Sequence, residues 1–81
     1  MVTRDFSGRD IVKVLRKHGF VIVNRSGSHV RLRYDAPELD APRLVTVPLH
    51  RRVRTGTLVQ IADQCGANDF HEWCRWIDEH R

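Results

Sequence analysis

This 81-residue chain has no long hydrophobic run, and no window approaches the roughly 20 apolar residues that a membrane-crossing helix needs. The first residues, from Met1 to Asp5, lack the apolar core of a signal peptide, so a cytoplasmic address is expected and a membrane partner is not. Cysteine is scarce: Cys65 and Cys74 are the only two. Both fall in stretches of helical periodicity, where a small apolar side chain serves packing, and two such residues make no disulfide framework. Structural zinc wants four clustered ligands, and the one suggestive spacing, His71-x-x-Cys74, offers two with no matching second pair. Neither a metal nor a cofactor is expected. Lysine is nearly missing too, since arginine supplies twelve of the 14 cations. No internal repeat or low-complexity tract occurs.

Hydrophobic residues at 41% and charged residues at 30% are ordinary for a soluble globular fold. The length allows one domain with a small core. A net charge of +4 points to an anionic partner. The predominance of arginine, whose planar fork matches phosphate and carboxylate, tilts that partner toward nucleic acid or an acidic inhibitor.

Ser7-Gly8-Arg9-Asp10 reads as a helix start, with Ser7 and Asp10 as a capping box and Phe6 and Ile11 as the staple around it. Ile11, Val12 and Leu15 form an apolar stripe, and Gly19 is placed to stop a helix running over about residues 8–18. Phe20-Val21-Ile22-Val23 is a short β-branched run, residues 24–28 carry turn formers, and His29 opens the next strand. Two prolines and three acids over residues 35–42 predict an exposed loop, and Arg43-Leu44-Val45-Thr46-Val47 a third strand ending at Pro48. A second helix begins near Thr55 and stops near Gly66. Asn68 is expected to cap a third helix carrying Phe70, Trp73, Cys74 and Ile77. The result is an α+β fold, α-β-β-β-α with helices on one face of a three-stranded antiparallel sheet, plus a C-terminal third helix.

The run from Gly27 to Tyr34 carries the chemistry. Strand side chains alternate, so His29, Arg31 and Arg33 share one face while Val30, Leu32 and Tyr34 share the other. Histidine transfers protons near neutral pH and arginine holds phosphate oxygens, a combination suited to phosphodiester cleavage. A wet outer face explains the same alternation without any chemistry. Strand parity puts His50 on the His29 side, whereas an end to the strand at Pro48 makes it a surface residue. Ser28 suits donation to a phosphate oxygen or the turn itself. Arg51, Arg52 and Arg54 form a basic run before the positive end of the second helix, as phosphate contacts or as a solvated loop. Trp73 belongs to an apolar stripe, and Trp76 lies off its centre.

The order helix, three strands, helix, with Gly27-Ser28-His29 opening the second strand, Val47-Pro48-x-His50 closing the third and Thr55-Gly56-Thr57-Leu58 starting the next helix, resembles the HicA family. That resemblance covers about residues 5–67. It implies a fold similar to double-stranded RNA-binding domains. It also implies a type II toxin that cleaves mRNA without a metal and arrests growth, with a key histidine matching His29. A HicB-type antitoxin would cover the active face, and the free toxin would be a monomer. The chain departs from the pattern in its long acidic loop over residues 35–42 and in a helical extension over about residues 68–81. Two other readings stay open: an RNA-binding module of the same fold without catalysis, and a protein-interaction domain that answers an acidic partner.

Overall fold

The computed structural model describes residues 5–81. Residues 1–4, which carry most of the stretch read for a signal peptide, lie outside the described residues. The elements run α1 (Gly8–Lys17), β1 (Val21–Ser26), β2 (His29–Tyr34), β3 (Arg43–Pro48), α2 (Thr55–Gln64) and α3 (Phe70–His80). The three strands form one antiparallel sheet in the order β1-β2-β3. The α+β architecture expected from the sequence is the one observed.

Local chemistry sets the helix ends. Ser7 accepts from the Asp10 amide at 3.0 Å while the Asp10 carboxylate accepts from the Ser7 amide at 3.4 Å, the reciprocal box that satisfies amides at a helix start. Phe6 and Ile11, on either side of that cap, are both fully buried. Helix α1 ends one residue earlier than expected, and its last carbonyls are closed by Gly19 N–H to Arg16 O and Phe20 N–H to Leu15 O. Helix α2 ends the same way, with Gly66 N–H on Asp63 O and Ala67 N–H on Ala62 O. Both are Schellman closures. The third helix is capped by Asp69, whose side chain accepts from the Glu72 amide at 3.1 Å, so Asn68 is not the cap.

The core is one cluster. Val30 and Leu32 from β2, with Val45 and Val47 from β3, meet Ile11, Val14 and Leu15 of α1, Leu58 and Ile61 of α2, and Trp73, Cys74 and Ile77 of α3. Val14 replaces Val12 in the buried stripe of α1, and Val12 is only half-buried. The third helix therefore shares the core and is no loose appendage. Arg81 at its end reaches back to α1, donating to the Asp5 carbonyl at 3.1 Å and lying 4.9 Å from the Phe6 ring centroid. Trp76 packs against His18 at the C-terminal end of α1, ring centroids 4.6 Å apart and planes inclined by 58°.

β1 differs from the sequence reading. Asn24, Arg25 and Ser26 pair with Arg31, Val30 and His29 and extend the strand, and the hairpin turns on Gly27 and Ser28 alone. Gly27 has φ 58° and Ser28 does not share a positive φ, the pattern of a two-residue turn with glycine first. A bulge between Ile22 and Asn24 leaves Val23 as the extra residue. All six residues of β1 are exposed, because α1 and α2 both pack over β3.

Two outcomes follow from this packing. A Cβ at Gly8 would collide with the Pro48 carbonyl oxygen and approach Leu49 Cα to 2.8 Å, both backbone atoms that cannot swing aside. Gly8→Ala should cost roughly 1–3 kcal/mol in denaturant unfolding, and an unchanged midpoint would refute the close contact. The Cys65 thiol, largely buried, is pushed up to about 11 by desolvation, against which Trp73 and Arg43 act weakly. The Trp73 indole N–H has no well-formed hydrogen bond, and the Cys65 sulfur it approaches is a weak acceptor. Because the unfolded thiol ionises first, near its ordinary 9.0, stability is intact below pH 9 and falls as pH rises toward 11. Cys65→Ala should remove up to about 3 kcal/mol of that alkaline slope, and equal slopes in the two proteins would contradict it.

Candidate functional site

The alternation expected for β2 holds: His29, Arg31 and Arg33 are exposed while Val30 and Leu32 are buried. Register then builds the site. His29 lies opposite Pro48, and Arg31 opposite Thr46, so β3 presents Thr46 and Pro48 on the histidine side of the sheet.

β3 ends at Pro48 as expected, and one further backbone bond follows the proline. The Leu49 amide donates to the Ser28 carbonyl at 2.6 Å, carrying the ladder one step past the proline. The next carbonyl, that of His50, accepts from the Gly8 amide at 2.9 Å. That donor belongs to the first turn of α1, where amides have no partner within the helix. His50 is thus held between the β1–β2 turn and the start of α1. Its ring centroid stands 6.5 Å from that of His29, with the planes inclined by 70°.

Both imidazoles line a half-open pocket of about 300 Å³, together with Thr46, Pro48 and the α2 residues Thr57, Gln60, Ile61 and Gln64. Gln64 is anchored by accepting from the Thr46 amide at 3.0 Å, so the edge of β3 is covered there by α2. Thr57 belongs to the Thr55-Gly56-Thr57-Leu58 motif, whereas Gln60 and Gln64 carry no motif of their own. The spacing of Thr57, Gln60 and Gln64 by three and four on a helix is the available signal, a neutral polar stripe on α2.

The arginines are not equivalent. Arg33 is held by Asp35, with Nε 2.9 Å from Oδ2, and that hydrogen bond first and the carboxylate charge second raise its pKa further. Its Cα also lies two strand repeats from His29, about 13 Å, whereas Arg31 is one repeat away at about 6.7 Å. Arg31 is exposed and has no ion pair among the described residues. Of the basic run, Arg52 pairs with Asp5 at 3.1 Å, and Arg54 is the N-cap of α2 through its backbone. None of Arg31, Arg33, Arg51, Arg52 and Arg54 lines the histidine pocket itself; Arg31 stands beside it on the same sheet face as His29. Ser28 contributes its carbonyl to the Leu49 bond and also lies outside the pocket lining.

Two imidazoles lining one pocket, with ring centroids 6.5 Å apart, can take a proton on one side of a bound group and return one on the other. The pocket carries no carboxylate, and no cluster of three His, Cys, Asp or Glu side chains able to hold a metal occurs among the described residues. No described helix is long and apolar enough to cross a membrane.

No curated protein and no solved structure matches the chain. Residues 8–67, from the first residue of α1 to just beyond α2, match the family described as the HicA toxin of bacterial toxin-antitoxin systems. With that match covering well over half its length, the chain belongs to the HicA toxin family.

Proposed function

We propose that this protein is an mRNA-cleaving endoribonuclease, the toxin of a pair silenced by a HicB-type antitoxin, in which His29 and His50 move the protons. The observation that carries the reading is the pair of imidazoles 6.5 Å apart on one small pocket. Cleavage without a metal needs three things: removal of the 2′-hydroxyl proton, stabilisation of a five-coordinate phosphorus, and a proton for the departing 5′-oxygen. One histidine takes the first proton as the 2′-oxygen bonds to phosphorus. The other gives a proton as the bond to the 5′-oxygen breaks. Charge that grows on the phosphate oxygens in between is met by Arg31, one strand repeat away, where fixed donors lower the barrier most. Gln60 and Thr57 supply neutral donors along the far wall.

A pocket of about 300 Å³ lies at the small end of ligand sites, sized for a phosphate and part of one nucleotide. That favours a strand presented singly over a duplex laid across the sheet. A histidine pair is also more than passive phosphate binding requires, which favours catalysis over a binding module of the same fold.

His29→Ala should lower cleavage of an RNA oligonucleotide about 10²- to 10⁴-fold, and its induced expression should leave growth and message intact. A variant that still cuts RNA and still arrests growth would remove the assignment. His50→Ala should lose one limb of a bell-shaped pH–rate profile while the other persists, and an unaltered two-limbed profile would return His50 to a purely structural place.

Arg31→Ala should lower kcat by about 10²-fold or more, whereas Arg33→Ala, whose side chain is engaged by Asp35, should change it less than about threefold. The reverse ranking would move phosphate binding down the strand.

A further inference from the structure

We infer that the groove between α1 and β1, on the sheet face opposite His29, is a docking site for an acidic amphipathic helix of a protein partner. Ile22 lies opposite Leu32, and Arg25 opposite Val30, so both β1 side chains point to the helix side of the sheet. No helix covers them. Together with Val12, Val30 and Leu49, Ile22 floors a groove of about 550 Å³ whose rim is made only of cations.

The rim supplies the charge complementarity. Arg9, Lys13, Arg16 and Lys17 follow one another along α1, and Arg25 closes the opposite side. Among the described residues none of these five forms an ion pair, and Lys17 alone has a fixed polar contact, to the His80 carbonyl at 3.3 Å. From Arg9 to Lys17 the cations recur about once per helical turn over about 12 Å. A second helix lying beside α1 matches that repeat with one carboxylate per turn, while its aliphatic residues fill the floor. Helices pack about 8–10 Å apart, which sets the incoming one over Ile22, where the existing layer stops.

Nucleic acid fits this groove less well. Its floor is aliphatic and offers no hydrogen bonds to sugar or base, and no aromatic side chain is present on which a base stacks. The inference does not depend on the nuclease reading, because the groove and the histidine pocket share no residue.

The test uses the full chain and a stapled helical peptide of about 16 residues, with leucines spaced by three and four and flanking glutamates. Saturable binding is expected by fluorescence anisotropy, with amide shifts centred on Val12, Ile22 and Arg25. Lys13→Glu combined with Arg16→Glu, both exposed positions, should weaken it about tenfold or more, as should Ile22→Asp, with circular dichroism confirming the fold of each variant. A peptide carrying lysines for the glutamates should not bind. The proposal is overturned if the acidic peptide fails to saturate, if the charge-reversed protein binds it equally, or if the lysine peptide binds as well. Displacement of the peptide by an oligouridine that shifts the same amides would assign the groove to nucleic acid and overturn it equally.

Discussion

Two backbone hydrogen bonds hold the candidate site together: Leu49 N–H to the Ser28 carbonyl and Gly8 N–H to the His50 carbonyl. The first carries β3 past its proline, and the second draws the next residue onto the start of α1. Between them they fix the backbone on both sides of His50, while the turn at Gly27 and Ser28 fixes His29 opposite Pro48. Each bond satisfies a group that would otherwise need water. The geometry that brings the two imidazoles together is therefore a by-product of saturating the backbone. Gly8 is what permits the approach, since any side chain there would meet the Pro48 carbonyl.

This dependence explains which parts of the fold were legible in the sequence. The capping box at Ser7 and Asp10 and the closures at Gly19 and Gly66 are short-range, governed by residues within one helical turn, and they are where the sequence placed them. The alternation of β2 is equally local. By contrast, Asn24, Arg25 and Ser26 are turn formers by type and strand residues by pairing, because the two-residue hairpin at Gly27 leaves them opposite β2. Asn68 and Asp69 both have capping side chains, and only the geometry of the chain entering α3 selects the second. The place of His50 was undecidable locally. A proline ends a ladder in the middle of a sheet, yet β3 is an edge strand, where a residue without an amide proton is tolerated.

The family match and the physical core do not share a boundary. The match ends at residue 67, whereas Trp73, Cys74 and Ile77 of α3 are buried among the residues of α1 and α2. Arg81 closes the far end over Phe6, the residue that also anchors the start of α1. Helix α3 thus stabilises the same end of α1 that donates to His50, and it does so from outside the family segment. Nothing in the chemistry of the histidine pocket uses α3. Its contribution to the site runs through the stiffness of α1.

Charge pairing divides the basic surface in two. Acidic side chains engage Arg33, Arg52, Arg75 and Arg81, which removes one of the two β2 arginines and part of the run before α2 from the pool open to a ligand. Among the described residues the cations left without an ion pair, Arg43 beside Gly66 apart, gather in two places. One group, Arg31 with Arg51 and Arg54, lies on the open sheet face and in the connection beyond His50. The other, along α1 and at Arg25, borders the aliphatic groove behind the sheet. A net charge of +4 spread evenly would argue for one diffuse anionic partner. Separated onto opposite faces, with imidazoles beside one cluster and aliphatic side chains beside the other, it argues for two partners of different chemistry that need not exclude each other.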